Sequence, residues 1–169
     1  NSSRVSAVYQ ARPRDSFIAA LKDVSEIWEI ATDPNAPPVY PGLVHSHEQG
    51  MTEGLPSSQG LFALRRIEVP EPLDDFFFDP AYRNLVGSAR EGKSAIVVNL
   101  TVGRDIKQLE LPGLPHLGSG IPWNWNGNPV MATPHLREGK LSVLNMRDWS
   151  VVKVIDTPGP GFFMRSHEK

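Results

Sequence analysis

The sequence contains no cysteine. That absence excludes disulfides, a thiolate nucleophile, cysteine-held iron–sulfur clusters and a CxxCH attachment for covalent haem within this span. No apolar run approaches the roughly 20 residues of a membrane-spanning helix, and no charged-then-apolar signal segment opens the chain. No membrane partner is expected. Charge of one sign is also scarce: 17 Lys and Arg against 19 Asp and Glu leave a net charge of -2. The basic residues are scattered among acids, so no basic face is concentrated enough to hold nucleic acid. Helical periodicity is poor as well, because even the stretch around 19–30 alternates.

What is present is an ordinary globular composition, 40% hydrophobic and 21% charged, over 169 residues that suit one domain. The dominant signal is a repeat. Arg-Glu-Gly-Lys occurs at Arg90–Lys93 and again at Arg137–Lys140. Each copy leads into an alternating apolar strand (residues 95–100 and 141–146), a short turn, a second strand (106–111 and 151–156) and then Pro-Gly. The landmarks recur at about 46 residues, within the ~40–50 of a propeller blade. A diverged third copy is expected at 16–30, with the turn at Lys22-Asp23.

The expected fold is therefore all-β: a partial β-propeller of about three four-stranded blades. The blade-like units fall at about 4–31, 65–113 and 114–159, and a Pro-, Gly- and Ser-rich insertion falls at about 31–64. A β-sandwich with similar hairpins is the competing fold, and the matched tetrapeptides favour the propeller. Such a set of blades leaves strand edges to be covered, so the chain is expected to be a fragment of a longer ring. Asn1 in place of an initiating Met, and an end at 165–169 where another blade would start, agree with that expectation.

Propellers carry ligands on loops and strand ends around their axis. His116 lies in a glycine-rich link, Pro115-His116-Leu117-Gly118-Ser119-Gly120. It is either a metal or acid/base imidazole or a hydrogen-bonded loop histidine. His135, just before a turn, is expected to face solvent. His45, His47 and Glu48 resemble a metal cluster but offer too few ligands, and a loop reading is preferred; His167 is too near the end to assign. Arg4, Arg12 and Arg14 around Tyr9 would suit the carboxylates of a tetrapyrrole, or are surface charges. Trp123, Trp125 and Trp149 are expected as wedges between sheets, with stacking on a planar ligand as the alternative. Gly60, Gly118 and Gly120 form no phosphate loop, and Ser57-Ser58 lacks the context of a hydrolase elbow.

Four segments, 9–14, 115–120, 132–136 and 163–167, occur in the order found in the haem d1 propeller. The chain thus resembles the eight-bladed domain of the cytochrome cd1 nitrite reductase family, and most nearly its dihydro-haem d1 dehydrogenase branch. The resemblance implies haem d1 as cofactor, with Arg4 and Arg14 gripping its carboxylates and Tyr9 over its face. It makes His116 the acid/base and sets His135 among the cofactor-binding residues. Where the reductase has a second active-site histidine this chain shows Asp74, and Ser119 replaces an arginine usual in the link. The implied activity is periplasmic oxidation of the dihydro-haem d1 precursor. Electrons would pass to a periplasmic partner or to a haem c in a domain absent from this chain, and this span alone would be inactive. A non-catalytic scaffold or haem d1 carrier, and nitrite reductase itself, are the alternatives.

Overall fold

The computed structural model describes residues 2–39, 58–89, 91 and 94–167. His45, His47, Glu48 and Ser57, and Arg90, Gly92 and Lys93 of the first tetrapeptide, lie outside them. Among the described residues, twelve strands form three four-stranded antiparallel meanders. The first holds β1 (Val5–Ala11), β2 (Ser16–Leu21), β3 (Glu26–Ala31) and β4 (Leu64–Glu68); the second β5 (Leu73–Phe78), β6 (Asn84–Ala89), β7 (Ser94–Asn99) and β8 (Arg104–Glu110). The third holds β9 (Ile121–Trp125), β10 (Asn128–Pro134), β11 (Lys140–Asn145) and β12 (Val151–Asp156). The expected all-β, propeller-type architecture is what the chain adopts.

The sheets stack face to face, and the middle one is covered on both sides. Because successive side chains of a strand point to opposite faces, β7 serves two cores. Ile96 and Val98 pack with Ile18, Ile27 and Phe76 towards the first sheet. Ala95 and Val97 pack with Leu117, Met131 and Trp149 towards the third. This is why Ala95–Val98 is a continuous apolar run rather than an alternating one.

Asparagines at equivalent places build equivalent β7–β8 and β11–β12 turns. The Asn99 side chain accepts from the Thr101 and Val102 N–H groups, and Asn145 accepts from that of Arg147. Each turn closes on a left-handed residue, Gly103 at φ 72° and Trp149 at φ 57°. In the second case burial of the indole offsets the backbone strain.

Three placements depart from expectation. Leu64–Glu68 pairs with β3, so it closes the first sheet, and the next unit starts at Leu73. The long Pro-rich segment is thus an excursion within the β3–β4 hairpin, tied at its neck by mutual backbone hydrogen bonds between Val39 and Ser58. Of the three tryptophans, Trp149 fills a core between two sheets, whereas Trp123 and Trp125 lie on β9 of the last sheet and are about 40% exposed within this span. His135 is fully buried, not solvent-facing.

An ionic knot ties the first sheet to the β7–β8 turn. Glu29 accepts from Arg14 Nε (2.7 Å) and Nη2 (3.0 Å) and from Ser16 Oγ (3.1 Å). Arg65 Nη1 stands 3.4 Å from the same carboxylate. Both guanidinium groups also donate to the Leu100 carbonyl. Such a pair orders the junction more than it stabilises it, because desolvating the charges opposes their attraction.

Phe76 is a fully buried ring at the first interface, so Phe76→Ala should cost about 3–5 kcal/mol in chemical denaturation. A Cβ on Gly87 would stand 2.4 Å from Leu73 Cδ1, and Gly87→Ala should cost about 1–3 kcal/mol through overpacking. A wild-type denaturation midpoint in either variant would contradict this packing.

Candidate functional site

β1, β5 and the link before β9 meet at one carboxylate, and local backbone features bring them together. β5 carries a bulge between Leu73 and Asp75: Leu73 pairs with Ala89 while Asp75 pairs with Ser88, leaving Asp74 as the extra residue. β1 has its own irregularity between Val5 and Ala7. The intervening Ser6 reaches across, its hydroxyl donating to the Leu73 carbonyl at 2.6 Å. A bulge re-aims the side chains that follow it, and here it turns Asp75 inward.

Asp75 Oδ1 accepts from the Tyr9 hydroxyl and from the Phe76 N–H, each at 2.9 Å. Oδ2 accepts from the Gly118 N–H at 2.6 Å and faces His116 Nε2 at 3.4 Å. Three sheets therefore contribute to the site: a phenol from the first, the carboxylate from the second, and an imidazole with a backbone amide from the approach to the third. Gly118 is needed sterically, since a Cβ there would lie 2.3 Å from the Tyr9 hydroxyl and 2.5 Å from Asp75 Oδ2.

The other side of the His116 ring meets the segment after β12. Nδ1 lies 2.6 Å from the Phe162 carbonyl, and the two rings are 4.6 Å apart between centroids. Tyr9, Asp74, Asp75, Ser88, Pro115 and His116 line a cleft of about 310 Å³. Burial and the negative charge of Asp75 push the Tyr9 phenol up to about 12, so near neutral pH it is an un-ionised hydrogen-bond donor.

Of the residues singled out in the sequence, Tyr9 and His116 come together here. Arg4 is elsewhere, its guanidinium paired with Asp23 at 2.7 Å and its side chain 69% exposed. Arg14 belongs to the Glu29 knot. His135 is held by Ser142 Oγ (2.9 Å) and the Pro112 carbonyl, and burial lowers its pKa. It is a neutral structural imidazole that ties β10 to β11. Asp74 lines the cleft, but the carboxylate that touches His116 is its neighbour Asp75, which sequence reasoning does not single out. The adjacent pair in Pro72-Leu73-Asp74-Asp75 is the available signal, and only the bulge decides between its members.

A carboxylate, an imidazole and an un-ionised phenol beside a cleft form a proton-handling arrangement. For a flat tetrapyrrole the fit is partial. The rings of Tyr9, Phe162 and Phe163 offer flat apolar surface, whereas Arg4 and Arg14 are already engaged by Asp23 and Glu29.

The family model described as the cytochrome D1 heme domain matches residues 56–169. The dihydro-heme d1 dehydrogenase of Pseudomonas aeruginosa is 43% identical over 98% of this chain, which spans 29% of that protein. The solved structure of dihydro-heme d1 dehydrogenase NirN in complex with DHE superposes with a TM-score of 0.78 at 42% identity, over 99% of this chain and 31% of that one. The Neurospora crassa Pan2 WD40 domain matches in fold alone, with a TM-score of 0.61 at 11% identity over 95% of this chain and 40% of its own. The chain thus spans about three tenths of the length of the dehydrogenases it matches.

Replacing Asp75 by Asn removes the negative charge that opposes phenolate formation. The ultraviolet titration of Tyr9 should then shift from about 12 towards the ordinary value near 10. An unchanged titration would mean that Asp75 does not face the phenol. Gly118→Ala should give the same downward shift, because its methyl forces Tyr9 and Asp75 apart.

Proposed function

Because this chain belongs to the cytochrome D1 heme domain family, we propose that it forms part of a haem d1-type propeller whose full-length protein dehydrogenates a dihydro-haem d1 precursor. The observation that carries the reading is 43% identity to a dihydro-heme d1 dehydrogenase across nearly the whole chain. It coincides with a proton-accepting group, His116, at the cleft where a substrate would be held.

Dehydrogenation removes two protons and two electrons from the substrate as a C–C bond becomes a C=C bond. This chain's residues can manage a proton but not the electrons, for which no redox group is built into its side chains. His116 takes one of the two protons at Nε2, the nitrogen that faces Asp75, and the other is released to water as the electrons leave. Asp75 stabilises the imidazolium so formed, at 3.4 Å. Tyr9 holds Asp75 from the far oxygen and presents its ring to the cleft. The tetrapyrrole, when bound, supplies the C–H bonds to be broken and a conjugated system that stabilises the charge left behind. The electrons then pass to an acceptor outside this span, a covalent haem c or a soluble partner, and the protein works in the periplasm.

Nitrite reduction is disfavoured by the same geometry. It calls for a second proton donor of histidine type, and among the described residues the group beside His116 is the Asp75 carboxylate. A non-catalytic carrier would keep the cleft but would have no use for an acid/base.

The test uses the full-length protein, incubated without oxygen with dihydro-haem d1 and a one-electron acceptor. Conversion of the optical spectrum to that of haem d1, with two acceptor molecules reduced per tetrapyrrole, is expected. His116→Ala should still bind but turn over about 10²–10⁴-fold more slowly, the usual worth of a general base. Binding without conversion would identify a carrier, and failure to bind would end the reading altogether.

A further inference from the structure

The segment following β12 does more than cover the third sheet. It leaves the sheet at Thr157, whose N–H donates to the Gly139 carbonyl, and is pinned again where the Gly161 N–H donates to the His135 carbonyl at 3.0 Å. Met164 packs on Val130, Ala132 and Val143. Between those anchors stand the rings of Phe162 and Phe163, 4.7 Å apart between centroids. What fixes them is His116. Its ring lies 4.6 Å from that of Phe162 and 6.0 Å from that of Phe163, and its Nδ1 is 2.6 Å from the Phe162 carbonyl. Ser119 Oγ stands 3.1 Å from that carbonyl and from the His116 carbonyl, so its hydroxyl can bridge the link to the segment.

A carbonyl oxygen only accepts hydrogen bonds, so Nδ1 must carry a proton to meet it. We infer that Phe162 is a positioning residue: its carbonyl holds a proton permanently on His116 Nδ1, so that all proton exchange by this ring runs through Nε2. A free imidazole has two tautomers and loses its proton from either nitrogen. Here one nitrogen is committed, and the other faces the cleft. The groups that face the ring are the Phe162 carbonyl on one side and, on the other, the Asp75 carboxylate, with Asp74 lining the same cleft and the Tyr9 hydroxyl on Asp75. With two acceptors flanking it, the doubly protonated ring is satisfied at both ends, and removal of the Nε2 proton leaves the Nδ1–H bond intact. The inference deepens the proposed proton transfer and rests on that reading for its use, though not for its geometry.

The experiment is a pH titration of the nitrogen signals of His116 in the full-length protein, labelled with 15N-histidine and free of tetrapyrrole. In the wild type Nδ1 should keep the signature of a protonated nitrogen at both ends of the titration, while Nε2 carries the whole change. A variant carrying Phe162→Gly and Ser119→Ala, which loses the ring contact and the hydroxyl bridge that hold that carbonyl against Nδ1, should make the two nitrogens share the change. In turnover the same variant should lower kcat by about 10–100-fold, the scale of a misplaced catalytic group, with a smaller effect on KM. A neutral wild-type ring protonated on Nε2 overturns the inference, whether or not the variant folds. So does a folded variant that titrates as the wild type does. Failure to bind or oxidise a tetrapyrrole would instead strike the proposed function, and the nitrogen titration alone would still decide the role of Phe162.

Discussion

One carboxylate holds the working part of this molecule together. Asp75 belongs to the second sheet, yet its two oxygens are filled by a phenol from the first, its own strand's backbone, and an amide and an imidazole from the approach to the third. A buried carboxylate without such donors is expensive to keep; with them it becomes a fixed point from which three otherwise separate segments take their positions. Sheet stacking supplies the bulk of the cohesion through apolar contact, which is not directional. The hydrogen bonds to Asp75 supply the direction, and so decide where the imidazole points.

The Glu29 knot offers a contrast. It too joins successive sheets through a carboxylate, but its partners are two guanidinium groups that do not change protonation near neutral pH. It can only hold. At Asp75 the facing partner is an imidazole, a group that can both take up and give back a proton. The same architectural device, a carboxylate at a sheet junction, thus gives a rivet in one place and a proton-transfer site in another, and the difference lies in the partner.

Much of this is written in the sequence, and what is not has physical reasons. The repeated tetrapeptide and the strands after it can be read because turns need particular residues and the inner strands of a blade are short, strongly apolar runs. β5 is obscured: between a proline pair and a run of phenylalanines, Leu73–Phe78 is largely buried on both faces and interrupted by a bulge, so it shows no period. β4 is hard to assign because its partner strand is separated from it by the long excursion, and pairing over that distance leaves no local trace. His116 and Tyr9 are legible from their settings, the glycine-rich link and the arginine-flanked strand. Asp75 is not, because its orientation depends on a one-residue irregularity. Arg4 and Arg14 stand out as unusual, but their acidic partners, Asp23 and Glu29, are 19 and 15 residues away and are met only on folding. His135 sits beside a turn in sequence and inside the sheet in space, because the residues after it fold back over it.

The neck of the β3–β4 excursion also bears on how this protein can vary. Val39 and Ser58 hold each other by backbone hydrogen bonds, and Val39 lines a separate hollow beside Arg14 and Glu29 rather than the cleft of Tyr9 and Asp75. The two ends are held at a fixed separation by the blade, and loop closure grows costly only slowly with length. That makes the hairpin a natural port for grafting: an epitope, a fluorescent reporter or a whole foreign domain could be spliced there and carried by the scaffold while the cleft keeps its shape.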